Sequence, residues 1–240
     1  MKKLIVLLSL ILFPLISEGS ILYTNNFASS SDEPPINWTQ YYNDGTSSKF
    51  DCNETDSWGD FQKEHATSGN YTSIWGYNKG TTWTNYTFSF KFIAGYNPAD
   101  ETILVLVRYD GLTSIGGYGF TFYINKGVYY VVAVNSDMSE SAKYTIVPGA
   151  TMTVTVQDTY FGVSFSLKQG NNVILTGLDS SSTYTSGTIA MGLITGAVLD
   201  THVVLVDDFI VTDLSSMIKR KHIPFGSGYR WIKSIYNLGE

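Results

Sequence analysis

The carboxylates of this chain are poorly placed for acid–base catalysis. Glycoside hydrolysis needs two carboxyl groups about 5 to 5.5 Å apart, or further apart when a water attacks. On one strand this requires acids at alternate positions, because only those positions share a face. No predicted strand carries acids so spaced, and the adjacent Asp207 and Asp208 would point to opposite faces of a strand. The sequence therefore argues against an acid–base glycosidase.

Nucleophilic and metal-dependent catalysis lack their sequence signatures too. The three histidines, His65, His202 and His222, form no H-x-H or H-E-x-x-H pair, and no serine lies in a G-x-S-x-G turn. The single cysteine, Cys52, follows Asp51, whose charge disfavours the reactive thiolate. We expect a protein that is not an enzyme.

Composition excludes several other classes of protein. Hydrophobic residues make up 43% of the 240 residues and charged residues only 15%, which is not the composition of a disordered chain. One cysteine cannot form a disulfide framework or a cysteine-ligated zinc site. The net charge of −6 disfavours nucleic-acid binding, which needs clustered Lys and Arg. No nucleic-acid partner is expected.

The first 19 residues have the layout of a secretory signal peptide. Lys2 and Lys3 precede the apolar stretch 4–16, and the small residues Ser17 and Gly19 stand before the expected cut. The stretch is short of the roughly 20 apolar residues that span a bilayer. We expect a secreted or cell-surface protein with one domain at residues 20–213.

Export makes four Asn-x-Thr sequons relevant as glycosylation sites. They begin at Asn37, Asn53, Asn70 and Asn85. In a chain so rich in Ser and Thr, roughly three sequons would arise by chance. A glycoprotein is expected only if the host modifies such sites.

Strand periodicity dominates the chain after Tyr86. Tyr86, Phe88, Phe90 and Phe92 alternate with polar residues, while the run 102–109 is apolar on both faces. Further runs of strand character cover 118–124, 128–134, 152–156, 161–167, 188–194 and 203–212. Turn-forming residues recur about every 8 to 12 residues, as in an antiparallel sandwich or barrel. This pattern predicts an all-β, antiparallel two-sheet sandwich.

The same alternation predicts the orientation of side chains in one later strand. In the run 161–167, Phe161 and Val163 are predicted to share the core face.

Residues 214–240 form a basic C-terminal tail with a net charge of +4, whereas residues 21–213 have a net charge of −11. Such a tail is expected either to be solvated or to attach to the body, an anionic envelope, lipid or a neighbouring subunit.

Five stretches together resemble a known superfamily. They are 22–27 followed by Trp38, WTNYTFSF at 83–90, VRYD at 107–110 followed by GYGF at 117–120, SGTIAMGL at 186–193, and VDDFIV at 206–211. In their order and spacing they resemble the concanavalin A-like lectin/glucanase superfamily, particularly its laminin-G-like and carbohydrate-binding-module branches. The resemblance covers residues 22–213 and implies a jelly roll. Its glucanases carry E-x-D-x-E or E-x-D-x-x-E on one strand, and this chain lacks that motif.

The resemblance also implies a structural calcium ion. In such jelly rolls an acid of the closing strand and oxygens of the N-terminal loops bind Ca²⁺. Oxygen ligands of that kind are available at Asp207 or Asp208, with Asp32 or Glu33. No other cofactor is expected.

Aromatic and polar side chains remain as candidates for ligand binding. Sugar rings stack on Trp and Tyr, and Arg bonds to hydroxyl groups, so we single out Trp58, Trp75, Tyr77, Arg108 and Tyr109. Of these, the two tryptophans lie in segments predicted to be irregular, where exposure is expected. The sequence favours a secreted, non-catalytic sandwich that binds glycan or another surface polymer. The alternative is a structural protein of an envelope, appendage or virion that attaches through its basic tail.

Overall fold

Fifteen β-strands follow one another through the described part of the chain. The structure is a computed structural model, and it describes residues 19–27, 34–44, 48–53, 58–64, 71–96, 101–112, 116–125, 128–134, 144–195 and 201–215. The strands are β1 (Ile21–Asn25), β2 (Trp38–Asn43), β3 (Ser48–Asn53), β4 (Trp58–Glu64), β5 (Tyr71–Tyr77), β6 (Tyr86–Tyr96), β7 (Glu101–Tyr109), β8 (Tyr118–Asn125), β9 (Val128–Val134), β10 (Tyr144–Thr145), β11 (Thr151–Thr159), β12 (Gly162–Gln169), β13 (Asn172–Asp179), β14 (Thr188–Thr195) and β15 (Thr201–Asp213).

The strands form two antiparallel sheets. The eight-stranded sheet has the order β13-β12-β11-β6-β15-β4-β3, with β1 paired to β15, and the seven-stranded sheet has the order β10-β9-β8-β7-β14-β5-β2. All thirteen strand pairings among the described residues are antiparallel. The predicted all-β, two-sheet jelly-roll sandwich is confirmed.

Alternating side chains of the two sheets meet in an aromatic core. Phe90 and Phe92 of β6 face Phe122 of β8, with ring centroids 6.0 and 4.8 Å apart. Near the other edge, Phe209 packs against Trp38 at 5.6 Å. Each such buried side chain contributes about 1.5 to 3 kcal/mol relative to exposure. The alternation in the sequence therefore has its physical origin in this shared core.

The strand β7 is buried on both faces, as its continuous apolar run predicts. Ile103, Val105 and Val107 point into the core between the sheets. Leu104 and Leu106 point to the outer face of the seven-stranded sheet and are buried in a second apolar cluster. This second cluster distinguishes the outer face of the seven-stranded sheet from an ordinary solvated sheet face.

The prediction for Phe161 is wrong. Thr159 pairs with Gly162 across the β11–β12 hairpin, so Tyr160 and Phe161 form the connecting turn. Phe161 is therefore 71% exposed, while Val163 is buried. The apolar pattern gave the wrong face for Phe161 because β12 begins one residue later than the pattern suggests, at Gly162.

Residues 1–18 of the predicted signal peptide and residues 216–240 of the predicted tail lie outside the described residues. The first strand begins at Ile21 and the last ends at Asp213. Among the described residues, no helix is long and apolar enough to cross a membrane.

Candidate functional site

Two of the predicted ligand-binding aromatics belong to the core. Trp75 and Tyr77 lie on β5, and their side chains alternate with those of the outer face. Trp75 is 9% exposed, packs against Phe50 and donates from Nε1 to Ser48 Oγ at 3.3 Å. Tyr77 stacks on Trp83 at 5.5 Å. The expected exposure of Trp75 is wrong, because the segment is a regular strand between two others.

The remaining predicted tryptophan, Trp58, is the first residue of β4. The expectation of an irregular segment is therefore wrong for Trp58 too. Its side chain lies outside the part of the chain that the structure describes, so its role in ligand binding stays a prediction.

Arg108 is fully buried and its guanidinium is used for internal contacts. Nε and Nη2 both donate to the carbonyl of Thr84, at 2.9 and 2.6 Å. Nη1 donates to the carbonyl of Tyr184 at 2.9 Å, and Nη2 also donates to Asp158 Oδ1 at 2.8 Å. A guanidinium so occupied holds three segments together, and this leaves Arg108 poorly suited to bind the hydroxyl groups of a ligand.

The backbone at Arg108 departs from the strand alternation. Its φ is 51°, which is the left-handed region. The Arg108 N–H donates to the hydroxyl of Tyr86 at 2.6 Å, and that hydroxyl donates to the carbonyl of Thr188 at 3.1 Å. Burial raises the pKa of Tyr86 far above its usual value, so the hydroxyl stays protonated. The kink turns the next residue, Tyr109, to the outer face of the sheet.

Tyr109 therefore joins Tyr41 in what we call the tyrosine cluster, formed by Tyr41, Tyr109 and Asp110. The two rings meet edge to face with centroids 5.6 Å apart. The Tyr41 ring covers Gly76 and Gly111, where an added Cβ would lie 2.8 and 3.1 Å from it. Burial, followed by the charge of Asp110, raises the pKa of Tyr109 to about 12. Tyr109 is buried, but Tyr41 keeps part of its ring exposed.

Exposed polar groups surround the Tyr41 ring. Thr39 pairs with Gly76 across the β2–β5 register and points to the same side. The Asn78 amide donates to Thr39 Oγ1 at 3.1 Å. Asp110 is exposed, and its Oδ1 accepts the backbone N–H of Leu112 at 2.9 Å. An aromatic ring beside a hydroxyl, an amide and a carboxylate is able to stack on a sugar and bond its hydroxyl groups.

Sequence reasoning named Tyr109 as a candidate but did not name Tyr41 and its neighbours. Tyr41 and Tyr42 are consecutive, and the register shifts between Gln40 and Tyr42. Two tyrosines in a row interrupt the alternation of an edge strand, and this was the available signal for the bulge.

Two of the predicted calcium ligands, Asp207 and Asp208, already have partners inside the protein. Asp208 forms an ion pair with Lys91 at 2.5 Å, so an ammonium group already lies beside that carboxylate. Oδ1 of Asp207 accepts the Asp208 N–H at 2.7 Å, and burial raises the pKa of Asp207. The strand is also irregular here, with a φ of 53° at Asp208. The side chains of Asp32 and Glu33 lie outside the described residues.

Within the described ranges, no group of three or more His, Cys, Asp or Glu residues is placed to hold a metal ion. The calcium ion that the resemblance implies stays a prediction, because Asp32 and Glu33 lie outside the described residues.

The sequons differ in their surroundings. Asn37 lies in a turn closed by the Trp38 N–H and the Pro35 carbonyl at 2.9 Å, and it is half-buried. The Asn85 amide is engaged on both sides, since Oδ1 accepts the Asp158 N–H at 2.6 Å and Nδ2 donates to Asp158 Oδ2 at 3.3 Å. A glycan on Asn85 would compete with these bonds. The side chains of Asn53 and Asn70 lie outside the described residues.

The sheet register brings one pair of carboxylates together that the sequence does not reveal. Asp51 of β3 is directly opposite Asp60 of β4. Directly opposed residues have Cβ atoms about 4.5 to 5.5 Å apart. The search for alternating acids along single strands missed this pair because its members lie on two strands.

Comparison with known proteins shows likeness in fold but not in sequence. No protein-family model matches the chain, and no curated protein matches it. A structure from work on endo-acting O-glycanases, which prominent human gut microbes express to initiate mucin breakdown, has a TM-score of 0.51 and 11% identity over 80% of this chain and 99% of that chain. LamAcat from Zobellia galactanivorans has a TM-score of 0.51 and 8% identity over 81% of this chain and 98% of its own.

A second structure of LamA, in complex with laminaritriose and laminaritetraose, has a TM-score of 0.51 and 9% identity over 82% of this chain and 100% of that chain. At such low identity the likeness concerns the fold. It agrees with the two antiparallel sheets and with the five motifs of the sequence. The chain has a concanavalin A-like two-sheet sandwich fold.

Proposed function

We propose that this chain is an extracellular, non-catalytic sandwich that binds carbohydrate through the tyrosine cluster. The observation that carries the proposal is the partly exposed Tyr41 ring at the edge of the seven-stranded sheet, flanked by Thr39, Asn78 and Asp110. The support of Tyr41 by Tyr109 fixes the ring in place. A preorganised ring loses little conformational entropy when a ligand binds.

The fold supports the proposal at a coarser level. LamA, which shares the fold, was solved with laminaritriose and laminaritetraose. Fold alone does not transfer a ligand, so the argument rests on the chemistry of the cluster. The export predicted from residues 1–19 would expose the cluster to extracellular glycans.

The proposal is tested by replacing the ring. Tyr41→Ala removes the stacking surface, so binding to the best ligand on a glycan array should weaken at least about tenfold. Asp110→Asn should weaken the same binding to a smaller extent, because an amide still bonds hydroxyl groups. The matched control is Tyr144→Ala, since Tyr144 is exposed on β10 at the opposite edge of the same sheet.

Two results would contradict the proposal. Undiminished binding by the Tyr41→Ala variant would show that the tyrosine cluster is not the binding site. Equal losses in the Tyr41 and Tyr144 variants would indicate general destabilisation and no specific surface.

A glycosidase is the second candidate, and the opposed pair Asp51 and Asp60 is the observation that favours it. Turnover of a polysaccharide that disappears in Asp60→Asn, with folding intact by circular dichroism, would replace the binding proposal. We propose no catalysis because the pair lies on the outer face of the eight-stranded sheet, away from the tyrosine cluster.

The charged tail favours the third candidate, a structural protein of an envelope, appendage or virion. Its net charge of +4 opposes the −11 of residues 21–213. If assembly is its role, the full chain should form large particles in sedimentation velocity, and a chain without residues 216–240 should not. Glycan binding that survives this truncation would favour the first proposal.

A further inference from the structure

The carboxylate of Asp110 is held in one position at the end of β7. Its Oδ1 accepts the Leu112 N–H at 2.9 Å, and the Asp110 N–H donates to the carbonyl of Gly116 at 2.8 Å. The side chain also lies against Gly116, where an added Cβ would be 2.0 Å from Oδ1. Asp110 is nevertheless exposed. The tyrosine cluster therefore presents a fixed, solvent-accessible carboxylate.

This carboxylate is close to both tyrosine rings. After burial, its charge is the largest cause that raises the pKa of Tyr109 to about 12. The next residue, Gly111, lies against the ring of Tyr41, since an added Cβ on Gly111 would be 3.1 Å from that ring. The face of an aromatic ring attracts cations, as a carboxylate does. The ring and the carboxylate therefore favour the same sign of ligand charge.

Positive side chains contribute little to this sheet. Its seven strands contain a single Lys or Arg, which is Arg108. Arg108 is buried and paired with Asp158 at 2.8 Å, so its charge is used inside the protein. Lys79, in the turn after β5, is exposed, and water and salt screen its charge. Among the described residues, the charge fixed at the tyrosine cluster is therefore that of Asp110.

We infer that Asp110 makes the tyrosine cluster select its glycan by charge. The cluster favours amino sugars with a free ammonium group over neutral sugars, and it disfavours uronic acids and sulfated sugars. An ammonium group has three N–H donors, so it bonds to the carboxylate while its charge lies beside the Tyr41 ring. An anionic sugar places like charges side by side, which selects against it. The inference rests on the proposed function, because it names the class of sugar that the same site takes.

The charge of the whole domain acts in the same direction. Residues 21–213 have a net charge of −11. Such a charge attracts any positively charged polymer at long range, whichever part of the surface binds it. The selectivity that arises at Asp110 must therefore be separated from this general attraction by a control that removes one negative charge elsewhere.

The test compares four tetrasaccharides of the same linkage by isothermal titration calorimetry, at about pH 6 and low ionic strength. They consist of glucosamine, N-acetylglucosamine, glucose and glucuronic acid. The full chain should bind the glucosamine oligomer about threefold to fivefold more tightly than the glucose oligomer, and the glucuronic acid oligomer less tightly than either. The N-acetylglucosamine oligomer, which lacks the ammonium charge, should resemble the glucose oligomer. High salt should reduce the differences between charged and neutral oligomers.

Asp110→Asn removes the charge and keeps an oxygen that accepts the Leu112 N–H. The preference for the glucosamine oligomer over the glucose oligomer should fall about threefold to fivefold, and the glucuronic acid oligomer should bind more tightly than before. The matched control is Asp213→Asn. Asp213 Oδ1 also accepts the N–H of the residue two positions on, Ser215, at 2.8 Å, and it lies on the other sheet.

Two results would overturn the inference. One is a ratio of glucosamine to glucose affinities that Asp110→Asn leaves unchanged, or that Asp213→Asn lowers equally. The other is wild-type binding of the glucuronic acid oligomer as tight as that of the glucosamine oligomer. In both cases, binding of neutral glycans that Tyr41→Ala abolishes would leave the proposed function standing. If no oligomer binds, the inference fails, and the proposed function fails with it only if the glycan array also shows no ligand.

Discussion

A buried carboxylate persists at Asp179 because four hydrogen-bond donors meet it. Tyr118 Oη donates to Oδ2 at 2.6 Å, as does the Thr183 N–H at 2.9 Å. The Ser181 N–H and hydroxyl donate to Oδ1 at 2.9 and 2.5 Å. Burial opposes ionisation, but the bonds outweigh it and hold the pKa of Asp179 well below its usual range. The carboxylate thereby ties the segment after β13 to β8.

Asp179 makes the free energy of unfolding depend on pH in the acidic range. Its folded-state pKa lies below the unfolded value of about 3.9. Its contribution to stability is therefore complete above about pH 3.9 and is lost as the pH falls from there through the folded-state pKa. In Asp179→Asn an amide NH₂ group, which is a donor, replaces one of the two carboxylate oxygens that accept hydrogen bonds. The free energy of unfolding at pH 7 should therefore fall by about 1 to 3 kcal/mol. Urea unfolding from pH 7 to pH 2 should also show a smaller acid dependence in this variant. The exposed Asp110→Asn is the control, and equal curves for both variants would contradict the argument.

The hairpins of the eight-stranded sheet depend on glycines for different reasons. Gly162 begins β12 with a positive φ, and the backbone of Asp179 leaves no room for a Cβ. Gly170, in the β12–β13 turn, has a φ of 58° but open space around its missing side chain. The two positions therefore separate steric exclusion from backbone preference.

Alanine substitutions should reveal this difference between the hairpins. Gly170→Ala should cost about 1 kcal/mol, the usual penalty for a positive φ. Gly162→Ala should cost about 3 kcal/mol or more, since β13 must also move. Urea denaturation midpoints at a common m-value provide the comparison. Similar costs for the two variants would show that the contact with Asp179 relaxes freely.

The two sheets depend on each other through pairings of residues far apart in sequence. At the centre of one sheet β6 pairs with β15, and in the other β7 pairs with β14. Neither sheet is able to bury its apolar face without the other, so the sandwich should unfold as a unit. Cys52, the single cysteine, lies in the core on β3.

Cys52 therefore reports on the opening of the whole sandwich. Burial, and then the charges of Asp51 and Asp60, raise the pKa of its thiol. Labelling by a thiol reagent at pH 8 should be at least about a thousandfold slower in the native protein than in the urea-unfolded chain. The labelling rate should rise with urea as the global stability falls. Rapid labelling without urea would show that β3 opens independently of the other strands.

The sequence alone predicts the strands, the two-sheet architecture and most of the core. The prediction rests on alternating residues such as Phe88 and Phe90 and on the continuous apolar run of β7. This prediction is possible because alternation is a local property of the sequence, and each strand of a sandwich buries one face in the shared core. The tertiary structure decided where the proposed binding surface lies. The bulge at Arg108 depends on Tyr86 and Tyr184, which are distant in sequence, and it alone places Tyr109 beside Tyr41. No local pattern contains such contacts, because they arise only when separate strands are brought together.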